Sequence, residues 1–288
     1  MPRPAVTAFF HEPSNTFSYV VSDPLTSKAA VIDAVLDYDA ASGCTSRAAA
    51  DALVDFVRAQ ALVVEWVIDT HAHADHLSAS PYIKAQLGGT LAIGEHIREV
   101  QKTFGKLFNA GHDFATDGSQ FDHLFVDGEP YMLGSIPAVA MHTPGHTPAC
   151  MTHLIGDAAF VGDTLFMPDY GTARCDFPGG DAATLYRSIR RIFALPDATR
   201  VFLCHDYKAP GRDAFACETT VAAERDNNLH VHHGISEAEF VAMRTARDAT
   251  LNVPRLLLPA VQVNMRAGQL PPAEDNGVRY LKIPLDVL

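Results

Sequence analysis

Short apolar runs and amphipathic segments follow one another along most of the chain. The clearest run, residues 63–69, contains β-branched and aromatic side chains and predicts a buried strand. Residues 46–60 place alanine, leucine and valine at helical spacing. A second amphipathic pattern over 181–195 has Asp181 as a capping residue and Pro196 beyond its end. The pattern therefore predicts strands and helices in close succession.

The remaining elements are predicted from shorter stretches of the same two patterns. Ser236 opens a Ser-x-x-Glu capping box, which marks the start of one helix. Predicted strands cover 5–10, 16–21, 29–33, 91–94, 121–126, 129–133, 136–142, 150–155, 158–161 and 200–204, and predicted helices cover 78–87, the first part of 96–120, 218–227 and 236–246. From about Leu251 the chain contains several prolines and no strong periodicity, so no element is predicted there.

Three histidines and an aspartate lie within six residues just after the strand 63–69. They are His71, His73, Asp75 and His76. Strand-to-helix turns are where α/β sheets usually place their chemistry. Neutral imidazole is the commonest metal ligand, and a neighbouring carboxylate suits a hard or borderline divalent ion. Solvated loop histidines are the simpler alternative, but a chain with 14 histidines in 288 residues would rarely gather three in one turn. The sequence therefore predicts a metal site.

Three more candidate ligands each follow a predicted strand. They are His146 in Thr-Pro-Gly-His-Thr, Asp163 in Phe-Val-Gly-Asp-Thr, and His205 in Phe-Leu-Cys-His-Asp-Tyr. Strand ends meet at one rim of a sheet, so residues distant in sequence can converge on one ion. The glycines that precede His146 and Asp163 allow the turns that aim these side chains. Asp33, at the end of the strand 29–33, is expected at the same edge.

Composition limits the classes of partner. The formal net charge of −12 argues against a nucleic-acid partner, because phosphate binding needs a basic surface. No stretch is long and apolar enough for a membrane span, and the first residues form no apolar signal segment. Five cysteines without a CxxC pair fit reduced thiols. These properties predict a cytoplasmic protein without membrane or nucleic-acid partners.

The order His-x-His-x-Asp-His, then His, Asp and His, resembles the signature of the metallo-β-lactamase superfamily. The resemblance covers roughly residues 5–215. It implies an α/β fold, the αβ/βα four-layer sandwich, in which two sheets face each other, helices cover both outer faces, and the metal lies at one rim. We expect a single domain over 1–288, with the core at about 5–215 and a short helical C-terminal extension at about 216–288.

Within that superfamily the same ligands can hold two ions. A dinuclear zinc hydrolase of the glyoxalase II type, which cleaves a glutathione thioester, would use all seven. The resemblance would assign His71, His73 and His146 to one ion, Asp75, His76 and His205 to the other, and Asp163 to a bridge. Two close ions activate a water for attack on a carbonyl. The ligand motif alone leaves this alternative open.

A second branch, the persulfide dioxygenases, holds one ferrous ion, Fe(2+), through two histidines and one aspartate. By motif these would be His71, His146 and Asp163, while His73, Asp75, His76 and His205 would orient ligands and water. Three segments resemble this branch, namely residues 171–177 (Gly-x-x-Arg-x-Asp-Phe), residues 205–207 (His-Asp-Tyr) and residues 264–268 (Asn-Met-Arg-x-Gly). The C-terminus also differs from the larger helical domain with which glyoxalase II binds glutathione. The leading hypothesis is therefore an iron-dependent oxidoreductase.

That hypothesis implies dioxygen and a small anionic persulfide, such as glutathione persulfide, as substrates, with sulfite and thiol as products. Arg174 and Tyr207 are the candidate substrate contacts, because a guanidinium matches a carboxylate and a phenol can stack and donate a hydrogen bond. A salt bridge from Arg174 to Asp176 or Asp169 is the alternative. One or two Zn(2+) ions, a non-catalytic metal-binding protein, and a homodimer suggested by the resemblance alone also stay open.

Overall fold

Period-two alternation in the N-terminal strands gives the first sheet two apolar faces. In the computed structural model, which describes residues 3–287, Tyr19 and Val21 contact one core cluster and Val20 another. The strands of this sheet are β1 (Ala5–His11), β2 (Thr16–Ser22), β3 (Lys28–Ile32), β6 (Val63–Ile68), β8 (Thr90–Gly94) and β9 (His123–Phe125). Their order is β1-β2-β3-β6-β8-β9, and the last four run parallel to one another.

The second sheet faces the first and is mostly antiparallel. Its strands are β10 (Glu129–Leu133), β11 (Ile136–His142), β12 (Met151–Ile155), β13 (Ala158–Phe160), β14 (Arg200–Phe202) and β15 (Glu218–Thr220), paired in that order. Only β13 and β14 run parallel among these pairs. Between the sheets, large side chains such as Ile32, Phe125 and Phe160 form a buried core. Burial of this apolar area is the main force that holds the sheets together.

Helices cover the outer face of each sheet, which confirms the predicted αβ/βα sandwich. They are α1 (Ala48–Ala59), α2 (Ser80–Leu87), α3 (Ile97–Leu107), α4 (Ala182–Phe193), α5 (Val221–Asn227), α6 (Glu237–Asp248) and α7 (Leu257–Asn264), with a 3-10 turn at Glu12–Ser14. The first core cluster joins α1, α2, α3 and α7 to the first sheet. A third cluster joins α4, α5 and α6 to the second sheet. Within residues 3–287, the helices are all too short or too polar to cross a membrane.

The structure differs from the sequence prediction where local signals are weak. No element was predicted after Leu251, yet α7 forms there. Its sequence lacks a polar face, since even Gln262 and Asn264 are buried, so no helical periodicity is visible. Residues 218–220, predicted as helix, form β15 instead.

A small third sheet was also not predicted. It consists of β4 (Val35–Asp39), β5 (Cys44–Ser46) and β7 (Leu77–Ser78), in the order β5-β4-β7. The two residues of β7 pair with Val35 and Leu36 of β4. Because Leu77 and Ser78 are used in this pairing, α2 begins at Ser80 rather than at Ser78.

Candidate metal centre

The seven predicted ligands meet at one rim of the two sheets. His71, His73, Asp75 and His76 lie between β6 and β7, His146 lies between β11 and β12, Asp163 follows β13, and His205 follows β14. All are buried except Asp75, whose side chain is 24% exposed. Burial of so many imidazoles needs compensation, because polar groups without partners are costly in the interior. The distances between their ligand atoms divide the seven residues into two groups.

His71, His146 and Asp163 form the first ligand group. Their ligand atoms all lie within 4.8 Å of one another. The Nε2 atoms of His71 and His146 lie 3.7 and 3.6 Å from Asp163 Oδ2. His71 Nε2 and Asp163 Oδ1 are buried and have no hydrogen-bond partner among the described residues. Two imidazole nitrogens and a carboxylate therefore converge on one point, as a metal ion requires.

Hydrogen bonds from the other ring nitrogens fix the orientation of these two histidines. His146 Nδ1 donates to the carbonyl oxygen of Arg174 at 2.7 Å. His71 Nδ1 lies 3.0 Å from Thr70 Oγ1. Burial, followed by the nearby His73, holds the pKa of His71 well below its ordinary value. A neutral imidazole whose Nδ1 is already bonded presents its Nε2 lone pair to a cation.

His73, Asp75, His76 and His205 form the second ligand group, also within 4.8 Å of one another. Asp75 Oδ2 lies 3.0 Å from His76 Nδ1 and 3.3 Å from His205 Nε2. His73 Nδ1 and His76 Nε2 are buried without a partner in the described part of the chain. Burial would lower the pKa of His205, but the carboxylates of Asp163 and Asp75 outweigh it and raise this pKa to about 10. The field here favours positive charge, which suits a second cation.

Asp33, at the end of β3 and at the expected edge, connects the two groups through bonds to Thr70, which precedes His71, and to His73. Its Oδ1 lies 2.9 Å from His73 Nε2 and also accepts the backbone N–H of Thr70 at 2.7 Å. Thr70 Oγ1 donates to Asp33 Oδ2 at 2.9 Å. Gly162 allows this close packing, because its φ is +52° and a Cβ atom there would lie 2.7 Å from Thr70 Oγ1. Asp33, Thr70 and Gly162 therefore fix the backbone and side chains next to the ligands.

Asp69 does not join the ligands, although it precedes them directly. Its carboxylate accepts hydrogen bonds from Ser78 Oγ at 2.9 Å and from Ser80 Oγ at 2.6 Å. Burial raises the pKa of Asp69 to about 7. Asp69 thus ties the end of β6 to the start of α2.

Asn264, the last residue of α7, holds the ligand loop from the opposite side. Its Nδ2 donates to the carbonyl oxygens of His73 and His76, both at 2.8 Å. Its Oδ1 accepts the backbone N–H of Ser78 at 2.8 Å. The sequence singled out the segment 264–268 by resemblance, but nothing in it indicated this contact. A residue near the C-terminus therefore shapes the loop that carries four of the seven ligands.

A cavity of about 260 Å³ opens in front of the first ligand group. Its walls include His146, Asp163, Tyr170, Tyr207 and Arg247. A second cavity of about 320 Å³, with more apolar walls, shares His146 and Arg174 with the first. Sites with a few convergent polar groups in a concave, largely apolar pocket are typical of small-molecule binding.

The two predicted substrate contacts differ in availability. Arg174 lines both cavities, but its Nε and Nη2 donate to the two carboxylate oxygens of Asp176, both at 2.5 Å. Its Nη1 donates to the carbonyl oxygen of Asn252 at 2.7 Å. The salt bridge from Arg174 to Asp176 is therefore formed, while its role as a substrate contact stays a prediction. Tyr207 is 40% exposed and packs near Tyr170, with ring centroids 5.3 Å apart.

Comparison with known proteins agrees with this geometry. The curated relatives include a probable metallo-hydrolase of Burkholderia pseudomallei, 58% identical over 98% of this chain and 99% of the relative. Glyoxylase B2 of Dictyostelium discoideum is 49% identical over 96% of this chain and 94% of its own. The mitochondrial persulfide dioxygenase ETHE1 of Bos taurus is 30% identical over 92% of this chain and 89% of its own.

Solved structures show the same architecture. The crystal structure of ETHE1 from Myxococcus xanthus has a TM-score of 0.72 and 29% identity, and covers 92% of this chain and 100% of its own. The profile of the family described as the Metallo-beta-lactamase superfamily matches residues 11–205, which include all seven predicted ligands. The chain therefore belongs to the metallo-beta-lactamase superfamily.

Proposed function

We propose that this protein is an iron-dependent persulfide dioxygenase. It would oxidise a low-molecular-weight persulfide, such as glutathione persulfide, so that one persulfide, one dioxygen and one water give one thiol, one sulfite and two protons. The observation that carries the proposal is the first ligand group, in which two histidines and one carboxylate converge beside a substrate-sized cavity. Two histidines and one carboxylate with open positions are typical of non-haem iron oxygenases.

The residues present fit one ferrous ion. His71 Nε2 and Asp163 Oδ1 are buried atoms that lack partners in the described chain, and His146 Nε2 faces the same carboxylate. Ferrous iron supplies the redox chemistry that couples dioxygen to a sulfur substrate. The protein holds the ligands in position through Arg174 O and Thr70 Oγ1, so that little reorganisation is needed on binding.

The cavity side chains bind and orient the substrate. Asp163 and Asp75 lie at one side of the cavity, and the phenol of Tyr207 stands beside them. The phenol can donate a hydrogen bond to a substrate atom near the ligands. Phe166 and Tyr170 complete an aromatic wall on this side of the cavity. Holding both reactants in one orientation accounts for much of the rate that such a site can provide.

Two relatives support this assignment. The Bos taurus protein carries the name persulfide dioxygenase, and its similarity extends over 92% of this chain, beyond the residues that bear the ligands. The Myxococcus xanthus structure extends over the same share of the chain.

A dinuclear hydrolase is the second candidate, and one observation favours it. The second ligand group is complete, with buried partnerless nitrogens on His73 and His76. Two relatives of higher identity carry the names metallo-hydrolase and glyoxylase. In this case Asp163 would bridge two zinc ions, and the substrate would be a thioester such as S-lactoylglutathione.

Oxygen consumption by the anaerobically prepared, Fe(II)-reconstituted protein tests the proposal, with metal content measured on the same sample. Uptake on addition of glutathione persulfide, with about one iron per chain, is the expected result. His146→Ala should abolish it, whereas His112→Ala, which changes an exposed histidine of a surface loop, should leave it unchanged.

The alternative functions give different results in the same experiment. Absence of uptake together with two zinc ions per chain and cleavage of S-lactoylglutathione would overturn the dioxygenase and establish the hydrolase. Metal binding with neither activity would favour the non-catalytic metal-binding protein.

A further inference from the structure

Cys204 is a buried cysteine that directly precedes the predicted ligand His205. It is 1% exposed and follows β14. Its backbone N–H donates to the carbonyl oxygen of Gly162 at 3.3 Å, and its own carbonyl oxygen accepts the N–H of Phe17 at 2.7 Å. Gly162 in turn precedes the predicted ligand Asp163. Backbone bonds on both sides therefore hold this cysteine next to two of the ligands.

The side chains of Asp163, Cys204 and His205 converge. One ligand atom of each residue, the sulfur in the case of Cys204, lies within 4.8 Å of the other two. His205 Nε2 and Asp163 Oδ1 are 3.4 Å apart, and both are buried without a hydrogen-bond partner in residues 3–287. Nitrogen and oxygen ligands that each lie about 2.1 Å from a tetrahedral zinc ion are about 3.4 Å from one another. This pair of atoms is therefore spaced like two ligands of one ion.

Asp163 has one oxygen for each side of the rim. Its Oδ2 lies 3.7 and 3.6 Å from the Nε2 atoms of His71 and His146, whereas its Oδ1 faces His205. His205 Nδ1 donates to the carbonyl oxygen of Asn15 at 3.2 Å, which fixes the orientation of the ring. An ion bound through Oδ1 therefore lies beside the first ligand group and leaves the three ligand atoms of that group in place.

Asp33 and His73 form another set with the same sulfur, again within 4.8 Å. Their atoms are already used, because Asp33 Oδ1 lies 2.9 Å from His73 Nε2 and Asp33 Oδ2 accepts a bond from Thr70 Oγ1 at 2.9 Å. An ion at that place would break buried hydrogen bonds, which is costly in the interior. Asp163 and His205, whose facing atoms are open, are therefore the better partners for Cys204.

A sulfur ligand changes which ions a site prefers. The first ligand group offers nitrogen and oxygen, whereas Cys204 adds a soft donor to the set with Asp163 and His205. Thiolates favour zinc and other thiophilic ions, while sites of oxygen ligands favour magnesium, calcium or manganese. Asp75, whose Oδ2 lies 3.3 Å from His205 Nε2, adds a second carboxylate that offsets the charge of a divalent cation.

We propose that Cys204, together with Asp163 and His205, binds a thiophilic divalent cation such as zinc or cadmium through its sulfur. On binding, the S–H bond of the thiol breaks, a metal–sulfur bond forms and one proton leaves to the solvent, so no oxidant or reductant takes part. The site goes beyond the proposed function, since it concerns which ion is held beside the first ligand group and not the reaction that occurs there.

Cobalt(II) is the probe for the sulfur ligand. A cobalt–thiolate bond produces an intense charge-transfer band in the near ultraviolet, which nitrogen and oxygen ligands do not produce. The full chain is stripped of metal with a chelator, reduced with a phosphine, and titrated under nitrogen with up to two equivalents of cobalt(II). We expect the band in the unmodified protein and its loss in both Cys204→Ala and Cys204→Ser.

Two other cysteines serve as controls. Cys150 is also buried, but its sulfur lies 3.1 Å from Thr147 Oγ1 and, among the described residues, belongs to none of the ligand sets. Cys44 is exposed on β5 and is the thiol most open to chance binding of cobalt. Cys150→Ser and Cys44→Ser should therefore both keep the band.

Metal selectivity gives a second, independent readout. Competition with a chromogenic chelator measures the affinity of each protein for cadmium and for manganese. Cys204→Ser should weaken cadmium binding at least roughly tenfold, the scale on which the loss of a single supporting group changes metal affinity. Manganese binding should change little, because this ion prefers oxygen ligands. Equal losses for both ions would overturn the inference, because they would indicate a general disturbance of the rim.

The unmodified protein alone can refute the site, whether or not the variants fold. Absence of the charge-transfer band at two equivalents of cobalt would overturn the inference, as would a band that persists in Cys204→Ala. Neither result bears on oxygen uptake by the iron-loaded protein, so the dioxygenase would stand. If the band depends on Cys204 but no persulfide is oxidised, the dioxygenase is wrong and the sulfur ligand stands.

Discussion

Replacement of Asn264 should weaken metal binding although this residue is not a ligand. Its side chain makes three buried hydrogen bonds, to the carbonyls of His73 and His76 and to the N–H of Ser78. Each such bond contributes about 1 kcal/mol net, so Asn264→Ala should lower the free energy of unfolding by about 3 kcal/mol. For a chain of this size that corresponds to a fall in Tm of roughly 5–10 °C.

The effect on metal affinity is the decisive part. The three bonds define the path of the loop that carries His71, His73, Asp75 and His76. Changes to residues that orient ligands typically reduce metal affinity by roughly 10- to 100-fold. We expect a loss in this range for Asn264→Ala, measured by competition with a chromogenic chelator well below the Tm of the variant. Asn264→Asp, which keeps the shape but removes both donors, should act in the same direction.

Gln262 provides a matched control on the same helix. Its buried amide also makes three hydrogen bonds, to Leu258 O, Lys282 O and Lys282 N, none of which involves the ligand loop. Gln262→Ala should therefore lower the Tm but leave the affinity of the folded protein for zinc unchanged. Equal metal affinity in the Asn264 and Gln262 variants would refute the reasoning, because the role of Asn264 would then be only structural.

Two further predictions concern stability. Burial raises the pKa of Glu224 to about 8 from 4.5, so the unfolded chain releases near pH 4.5 a proton that the folded protein keeps until about pH 8. The free energy of unfolding should fall by roughly 3–4 kcal/mol between pH 5 and pH 8, and Glu224→Gln should remove that fall in urea titrations at these two pH values. Arg212→Ala should cost about 3 kcal/mol, because it leaves the buried carboxylate of Asp206 without its cation.

Each of these two predictions has an internal control. A glutamine at position 224 can still accept the hydrogen bond that Asn228 Nδ2 donates to Glu224 Oε2. A change in how the free energy of unfolding depends on pH can therefore be assigned to the proton of Glu224. Arg225 makes a similar fork to Asp197, whose side chain is 67% exposed. Arg225→Ala should therefore cost less than about 1 kcal/mol. Equal costs for the two arginine variants would contradict the argument from burial.

The candidate ligands could be predicted from the sequence because they depend on local features, whereas the layer order was implied by the resemblance to the metallo-β-lactamase superfamily. His71 to His76 form a dense motif directly after a strongly apolar strand. His146, Asp163 and His205 each follow a predicted strand, and strand ends meet at a rim whatever the details of the loops. Apolar alternation determines which face of each strand is buried. These signals act over a few residues and are visible in one sequence.

Contacts between distant segments were decided only by the tertiary structure. Asp69 and Asp33 both follow apolar strands, yet the carboxylate of Asp33 is bonded to His73, whereas that of Asp69 is bonded to Ser78 and Ser80. The bond between Asn264 and His73 spans 191 positions, and no periodicity encodes it.

The cavity likewise has features that the sequence predicted and features that only the structure revealed. The sequence left open whether Arg174 is paired within the protein, and the structure shows bonds to Asp176 and to the carbonyl oxygen of Asn252. The sequence by itself determined which residues can bind a metal and which strands carry them, because chemical type and apolar pattern are properties of short segments. The tertiary structure alone decided which hydrogen bonds orient the predicted ligands, such as those of Asp33 and Asn264, because these bonds join segments that are distant in the sequence.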